Sequence, residues 1–379
     1  MNPFTYSRPQ DIDSALAQIA ANGAGDTALA SSAGPAPAPD LAPAVNPVTP
    51  AAANQYEVRF VAGGTNLLDL LKEGVLVAPK LVDINRLPFD RIEETPDGGL
   101  LLGALARNAD TAYHPLVKER YPLLADAILA GASPQLRNMA SNGGNLLQRT
   151  RCYYFYDVAT PCNKRTPGAG CSAIGGVTRQ HAILGTSEHC IATHPSDMCV
   201  ALAALEAVVH VQSVRGKREI PFAEFHRLPG DRPDIDTTLA PDELITHIAL
   251  PPAPQFAGHS AYLKLRERLS YAFALTSVAA ALDIAEDGTI RAARIALGGV
   301  AHKPWRKPEA EQLLQGVRPS DEAFSRVAEA LLAGAAGRGS NDFKIPMARN
   351  AIVRALHVAA HGTVTNWNVS TPTNEGDTP

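Results

Sequence analysis

Apolar positions along the chain recur with two periods, and the pattern is interrupted once. In DIDSALAQIAA, residues 11–21, Ile12, Leu16 and Ile19 fall on one face, which predicts a helix capped by Asp11 or Asp13. Residues 22–55 then turn to Ala, Pro, Gly, Ser and Asn, as in SSAGPAPAPDLAPAVNPVTPAAANQ. Such a stretch buries too little apolar surface to offset its ordering entropy, so a mobile surface insertion is expected, with an ordered arm on a partner subunit as the alternative. The pattern resumes at Tyr56 with the strand-like YEVRFVAGG, a short helix in TNLLDLLKEGV, strands in KLVDI and GGLLLGALA, and one helical stretch in HPLVKERYPLLADAILAGA. That order indicates an α+β or α/β domain.

Further on, PSDMCVALAALEAVVHVQSVRGKREIPFAEF reads as a helix, a strand, a turn at Arg215-Gly216-Lys217 and a strand, and DELITHIALPP as a strand ended by prolines. A boundary is expected at PPAPQFAGH, residues 251–259. Beyond it lie a hairpin around Glu286-Asp287-Gly288 and two helices, SDEAFSRVAEALLAGAA and PMARNAIVRALHVAAH. This predicts a smaller α+β domain with two or three strands, then a frayed polar tail from Thr363.

Composition narrows the function classes. The chain has 379 residues, 45% of them hydrophobic, and a net charge of −4 with no basic arm or acidic tail. Nucleic acid and anionic membranes are therefore not expected partners. No apolar run is long enough to span a bilayer, and the N-terminus lacks a secretory pattern, so a cytoplasmic fold with reduced thiols is expected.

Two glycine loops stand out. FVAGGTNLL puts Gly63 and Gly64 between a strand and a helix, followed by Thr65 and Asn66. ASNGGNLLQ repeats the type with Ser141, Asn142, Gly143, Gly144 and Asn145. Glycine lets backbone N–H groups approach a phosphate closely, and two such loops suit the two sides of a dinucleotide diphosphate; plain tight turns are the alternative. Asp83 has the spacing of a ribose-binding acid, but the G-x-G-x-x-G fingerprint is absent, with Thr65 and Leu68 in its later positions.

The five cysteines are Cys152, Cys162, Cys171, Cys190 and Cys199, with no C-x-x-C pair. The Pro/Gly-rich loop around the first three could wrap an iron–sulfur cluster, with Arg149, Arg151, Lys164 and Arg165 offsetting thiolate charge. Zinc or unrelated buried thiols remain open on spacing alone. Cys199 lies in an apolar helix and reads as an ordinary buried cysteine. His181, His189 and His194 could ligate zinc but read as solvated loop residues.

AGGTNLLDLLKEG, LRNMASNGGNLLQRTRCYYFYDVATPCNKR, GCSA, SEHCIATHPSDM, RERLSYAFALTSVAAAL and ALGGVAHKPWR together resemble the FAD-binding subunits of xanthine oxidase-family molybdenum hydroxylases. Within that family the likeness is to the FAD subunit of bacterial three-subunit aldehyde oxidoreductases, which carries an extra [4Fe–4S] cluster. The resemblance spans nearly the whole chain except residues 22–55 and the tail.

It implies an α+β fold with a p-cresol methylhydroxylase-type FAD-binding domain of two subdomains over residues 1–250, containing an iron–sulfur loop at 149–191. A CO dehydrogenase flavoprotein C-terminal-type domain over 257–362 and a flexible tail, 363–379, would follow. It implies that the FAD diphosphate is wrapped by Phe60, Val61, Ala62, Gly63, Gly64, Thr65, Asn66 and Leu67 and clamped by Ser141, Asn142, Gly143, Gly144 and Asn145. Asp197 would hydrogen-bond a flavin hydroxyl, and Ile245 and Lys264 would complete the site. Cys152, Cys162, Cys171 and Cys190 would hold the cluster, and Cys199 would not.

The implied function is electron transfer, with no catalytic acid or base in this chain. A large molybdenum cofactor-binding subunit and a small [2Fe–2S] subunit would complete a heterotrimer that oxidises aldehydes to carboxylic acids. The alternatives are a related molybdenum hydroxylase, a 4-hydroxybenzoyl-CoA reductase-type subunit or a non-redox zinc protein. A signal-bearing partner could carry the folded complex to the periplasm.

Overall fold

The computed structural model describes residues 1–23 and 58–363. The Ala/Pro-rich segment and the tail beyond Thr363 lie outside the described residues. Thr363 itself is held, its hydroxyl donating to Ala257 O (2.6 Å) and accepting from Ser260 N (2.9 Å).

Strands β1 (Thr5–Ser7), β2 (Val58–Val61) and β3 (Lys80–Asp83) form a parallel sheet in the order β1-β3-β2. The glycine turn and helix Leu67–Lys72 connect β2 to β3. Asp83, the ribose-acid candidate, is buried and satisfied within this sheet: Tyr6 and Arg8 donate to Oδ2 and Asn85 to Oδ1. It binds protein and does not line the cleft described below.

A second sheet contains β4 (Ile92–Glu94), β5 (Leu100–Gly103), β6 (Val208–Ser213), β7 (Gly216–Pro221) and β8 (Leu244–Leu250), antiparallel in the order β4-β5-β8-β6-β7. In β6, buried and half-buried residues alternate, which is the signature of a sheet packed on one face. Helices Pro122–Ala130 and Asp197–Ala204 supply side chains to the same core.

The helical stretch expected in residues 114–132 is two helices, Pro115–Arg120 and Pro122–Ala130. Tyr121 adopts φ −134°, ψ 53°, because the ring of Pro122 disfavours the α conformation in the residue before it.

The third sheet holds four strands where two or three were expected: β9 (Ser260–Leu265), β10 (Thr276–Ile284), β11 (Ile290–Gly298) and β12 (Trp305–Arg306). The β10–β11 hairpin turns at the expected place, with Gly288 at φ +81°. Helices Asp321–Leu332 and Lys344–His361 pack their apolar stripes on one face, through residues such as Phe324, Leu331, Ile352 and Leu356. Ala279, Ala281 and Ala296 point the other way and join the core of the second sheet. Small side chains in the middle of β10 let helices approach on both faces.

Candidate functional site

The two glycine loops touch. After β2 the chain passes through Ala62 and Gly63 to Gly64, whose φ of +74° suits glycine. A Cβ added to Gly63 would lie 1.9 Å from Met139 O and 3.2 Å from Ala140 Cα. Only glycine lets the first loop press against the segment that enters the second. Among the described residues, the backbone N–H groups of Gly63, Gly64 and Thr65 donate to no backbone carbonyl. Consecutive unpaired N–H groups in a tight turn form an anion cradle.

The second loop is held from behind. Ser141 caps helix Asn142–Leu146 by accepting from Gly144 N (3.3 Å). Asn142 is fully buried, donating to Gly103 O (3.2 Å) and Thr111 Oγ1 (2.8 Å) and accepting from Asn108 Nδ2 (3.0 Å). Gly143 N donates to Ala104 O (2.8 Å). Asn145 donates to Asn108 Oδ1 (2.6 Å) and accepts from Ser196 Oγ (2.6 Å). Asn66 ties the first loop to the cysteine segment by accepting from Arg149 N (2.8 Å). The asparagines therefore build the loops and leave backbone and glycine surfaces to face outward.

Both loops line one cleft of ≈ 2270 Å³. This exceeds the roughly 300–1,000 Å³ of ordinary small-molecule sites, leaving room for a dinucleotide. Of the residues expected at the cofactor, Phe60, Ala62, Gly63, Gly64, Thr65, Asn66, Leu67, Ser141, Gly143, Gly144, Asn145, Asp197 and Ile245 line it. Val61, Asn142 and Lys264 do not. Val61 packs among Leu70 and Leu71, and Asn142 sits behind its loop. Lys264 reaches the cleft only through Asp197, with Nζ 2.7 Å from Asp197 Oδ2. Tyr262 donates to the other carboxylate oxygen at 2.7 Å.

The first four cysteines gather on the far side of Arg149. Cys152, Cys162, Cys171 and Cys190 line one small void with Phe155, Lys164 and His189. Cys162 and Cys171 face each other across an antiparallel bridge. The neighbouring Cys171 and Cys190 thiols split in acidity, Cys171 drawn down to about 6 and Cys190 pushed well up by its partner and by burial. Burial pushes Cys152 up to about 11.

Of the four basic residues expected to offset thiolate charge, Lys164 and Arg149 converge on Asp236, which lines the cleft. Lys164 is buried between the cysteines and also donates to Pro233 O (2.7 Å), so one carboxylate joins the sulfur loop to the cleft wall. Arg165 is directed at backbone, donating to the carbonyls of Tyr154 (2.9 Å) and Phe155 (2.8 Å). Arg151 donates to Tyr156 Oη (2.7 Å). Asp236 was not foreseen, and its chain neighbourhood carries no signal for it.

The three histidines expected to be solvated separate. His189 is exposed. His181 is buried, with Nε2 3.1 Å from Cys152 Sγ, and is held down to about 4 by burial and the nearby Lys344 ammonium. His194 packs at a tilt against His226, ring centroids 4.3 Å apart, beside the fully buried Cys199. His302, also unforeseen, brings Nε2 within 3.3 Å of Cys190 Sγ. Sequence distance hides these contacts.

Residues 42–253 match the FAD binding domain in molybdopterin dehydrogenase, and residues 260–359 match the CO dehydrogenase flavoprotein C-terminal domain. The chain is 51% identical over 300 residues to the aldehyde oxidoreductase FAD-binding subunit PaoB of Escherichia coli, covering 79% of this chain and 90% of that protein. It is 28% identical to the glyceraldehyde dehydrogenase medium chain of Sulfolobus acidocaldarius, over 71% of this chain and 78% of that one. Among solved structures, a chain of the carbon monoxide dehydrogenase from Hydrogenophaga pseudoflava superposes with a TM-score of 0.67 at 24% identity, covering 94% of this chain and 97% of that chain. That likeness shows a shared fold.

Proposed function

Because this chain belongs to the FAD-binding subunits of the molybdenum hydroxylase family, we propose that it is the FAD- and [4Fe–4S]-carrying electron-transfer subunit of an aldehyde oxidoreductase. Its partners in this reading are a large molybdenum cofactor-binding subunit and a small [2Fe–2S] subunit, assembled as a heterotrimer. Electrons taken from an aldehyde at the molybdenum subunit arrive at this chain and leave it to an external acceptor. Bound here, FAD and the cluster would supply the redox chemistry, FAD exchanging one or two electrons and the cluster one.

The chain's own residues bind, orient and insulate. The backbone N–H groups of Gly63, Gly64 and Thr65 would hold the diphosphate, and Ser141 with the Gly143–Gly144 turn would close on its other side. Asp197, fixed by Lys264 and Tyr262, would offer its carboxylate to the flavin's hydroxyls. Cys152, Cys162, Cys171 and Cys190 would ligate the cluster. The single observation that carries the reading is the contact of the two glycine loops at Gly63 on a cleft that Asp236, with Arg149 and Lys164, joins to a separate pocket of four cysteines.

No helix among the described residues is long and apolar enough to cross a membrane. The test is to co-produce the chain with the open reading frames encoded beside it and purify the complex. An aldehyde added without oxygen should bleach the flavin band within the assembled complex and leave it unchanged in the isolated chain. Bleaching of the isolated chain by aldehyde would contradict an electron-transfer role and point to a self-contained oxidase.

A further inference from the structure

We propose that His181 and His302 donate Nε2–H hydrogen bonds to the Cys152 and Cys190 thiolates, and that these two bonds raise the reduction potential of the cluster those thiolates hold. The inference rests on the [4Fe–4S] reading above.

The geometry begins with the two distances, 3.1 Å from His181 Nε2 to Cys152 Sγ and 3.3 Å from His302 Nε2 to Cys190 Sγ. Both rings are buried, with 2% and 7% of their residues' surface exposed. In each, Nδ1 is buried and has no hydrogen-bond partner among the described residues. A neutral imidazole carries one N–H. Placing it on Nδ1 would bury a donor without an acceptor and turn the Nε2 lone pair towards sulfur. Placing it on Nε2 satisfies the donor, so the sulfur selects the tautomer.

The rings are held by one bracket. Lys344 Nζ donates to His181 O (2.8 Å) and to Gly299 O, three residues before His302. Asn341 Nδ2 also donates to His181 O, at 3.2 Å. Ile183 N and Leu184 N donate to Val300 O at 2.9 and 3.0 Å, and His194 N to Ala301 O at 3.0 Å. The segment after β11 is thus laced to the cysteine loop, so the third sheet positions a donor on a ligand from the FAD-binding half.

A hydrogen bond to a ligand sulfur is stronger when that sulfur carries more negative charge. Adding an electron increases that charge, so each donor stabilises the reduced cluster over the oxidised one. The remaining pair, Cys162 and Cys171, has no histidine within this distance among the described residues.

The test uses the iron-loaded full chain and three variants, His181→Phe, His302→Phe and the double. Each keeps a ring and loses the donor. Redox titration followed by electron paramagnetic resonance should give a lower potential in each single variant and a lower one still in the double. His181→Gln and His302→Gln, which retain an N–H donor, should lie closer to the wild type. Loaded Phe variants with the wild-type potential would overturn the inference. Should those variants fail to load, wild-type protein labelled with ¹⁵N-histidine decides. Hyperfine spectra of its reduced cluster should show ¹⁵N coupling, and its absence would overturn the inference. A wild-type chain that never binds iron would instead sink the cluster reading itself.

Discussion

Lys264 Nζ lies 2.7 Å from Asp197 Oδ2, with the two side chains only 3% and 6% exposed. Lys264 is on β9 and Asp197 opens the helix that walls the cleft, so this pair fixes the third sheet against the FAD-binding half. Removing one partner from a buried pair costs about 3–5 kcal/mol, because the other charge stays behind unpaired. Lys264→Met should destabilise the chain by that amount in urea unfolding and also weaken flavin retention. The double variant Asp197→Leu/Lys264→Met should recover part of the stability but not the flavin.

Gly63 is the narrowest point between the two loops. Gly63→Ala would place a methyl 1.9 Å from Met139 O, and backbone cannot yield as a side chain would. The expected result is protein with native-like far-ultraviolet circular dichroism and less than about a tenth of the wild-type flavin, given how strongly overpacking perturbs a fitted contact. Gly74→Ala makes the contrast. Its added Cβ meets nothing, so it should lose only the roughly 1 kcal/mol of a left-handed glycine at φ +71° and keep its flavin.

The cysteines divide four to one. Cys152→Ser, Cys162→Ser, Cys171→Ser or Cys190→Ser should each lower bound iron well below the wild-type amount, measured colorimetrically after acid release. Cys199 is fully buried in helix Asp197–Ala204, away from that pocket, and Cys199→Ser should keep its iron.

Lys344 has no exposed surface, and burial brings its ammonium down to about 7 from 10.5. Between those values the unfolded chain binds the extra proton and the folded chain does not. Stability should therefore rise with pH from about 7 to about 10.5, by up to about 1.4 kcal/mol per unit from this group. Lys344→Met should remove that slope. The check is the difference between wild-type and variant unfolding free energies at several pH values in this window.

Much of this architecture was legible in the residues, and the misses have physical causes. The Ile12–Leu16–Ile19 stripe, the GG turn after β2 and the 286–288 hairpin are local signals, and each produced the expected element. β1 was missed because three residues carry no period, and it becomes a strand only by pairing with Lys80–Asp83. β12, two residues long, escaped for the same reason. Gly63 and Ser141 stand where a close-packed turn and a helix cap impose residue type, whereas Asp197 came only with the family resemblance, its helix being capped by Ser196. Asp236, His302 and the buried state of His181 were not legible, since their partners lie far off in sequence and only the packed fold brings them to the cysteines.

The most direct test is cofactor analysis of the wild-type chain produced with ample iron and riboflavin, combining flavin and iron content with the Mössbauer spectrum of ⁵⁷Fe-labelled protein. The account predicts about one FAD and about four iron atoms per chain, with the spectrum of a diamagnetic [4Fe–4S]²⁺ centre. Flavin without iron, or a single tightly bound zinc in its place, would contradict it.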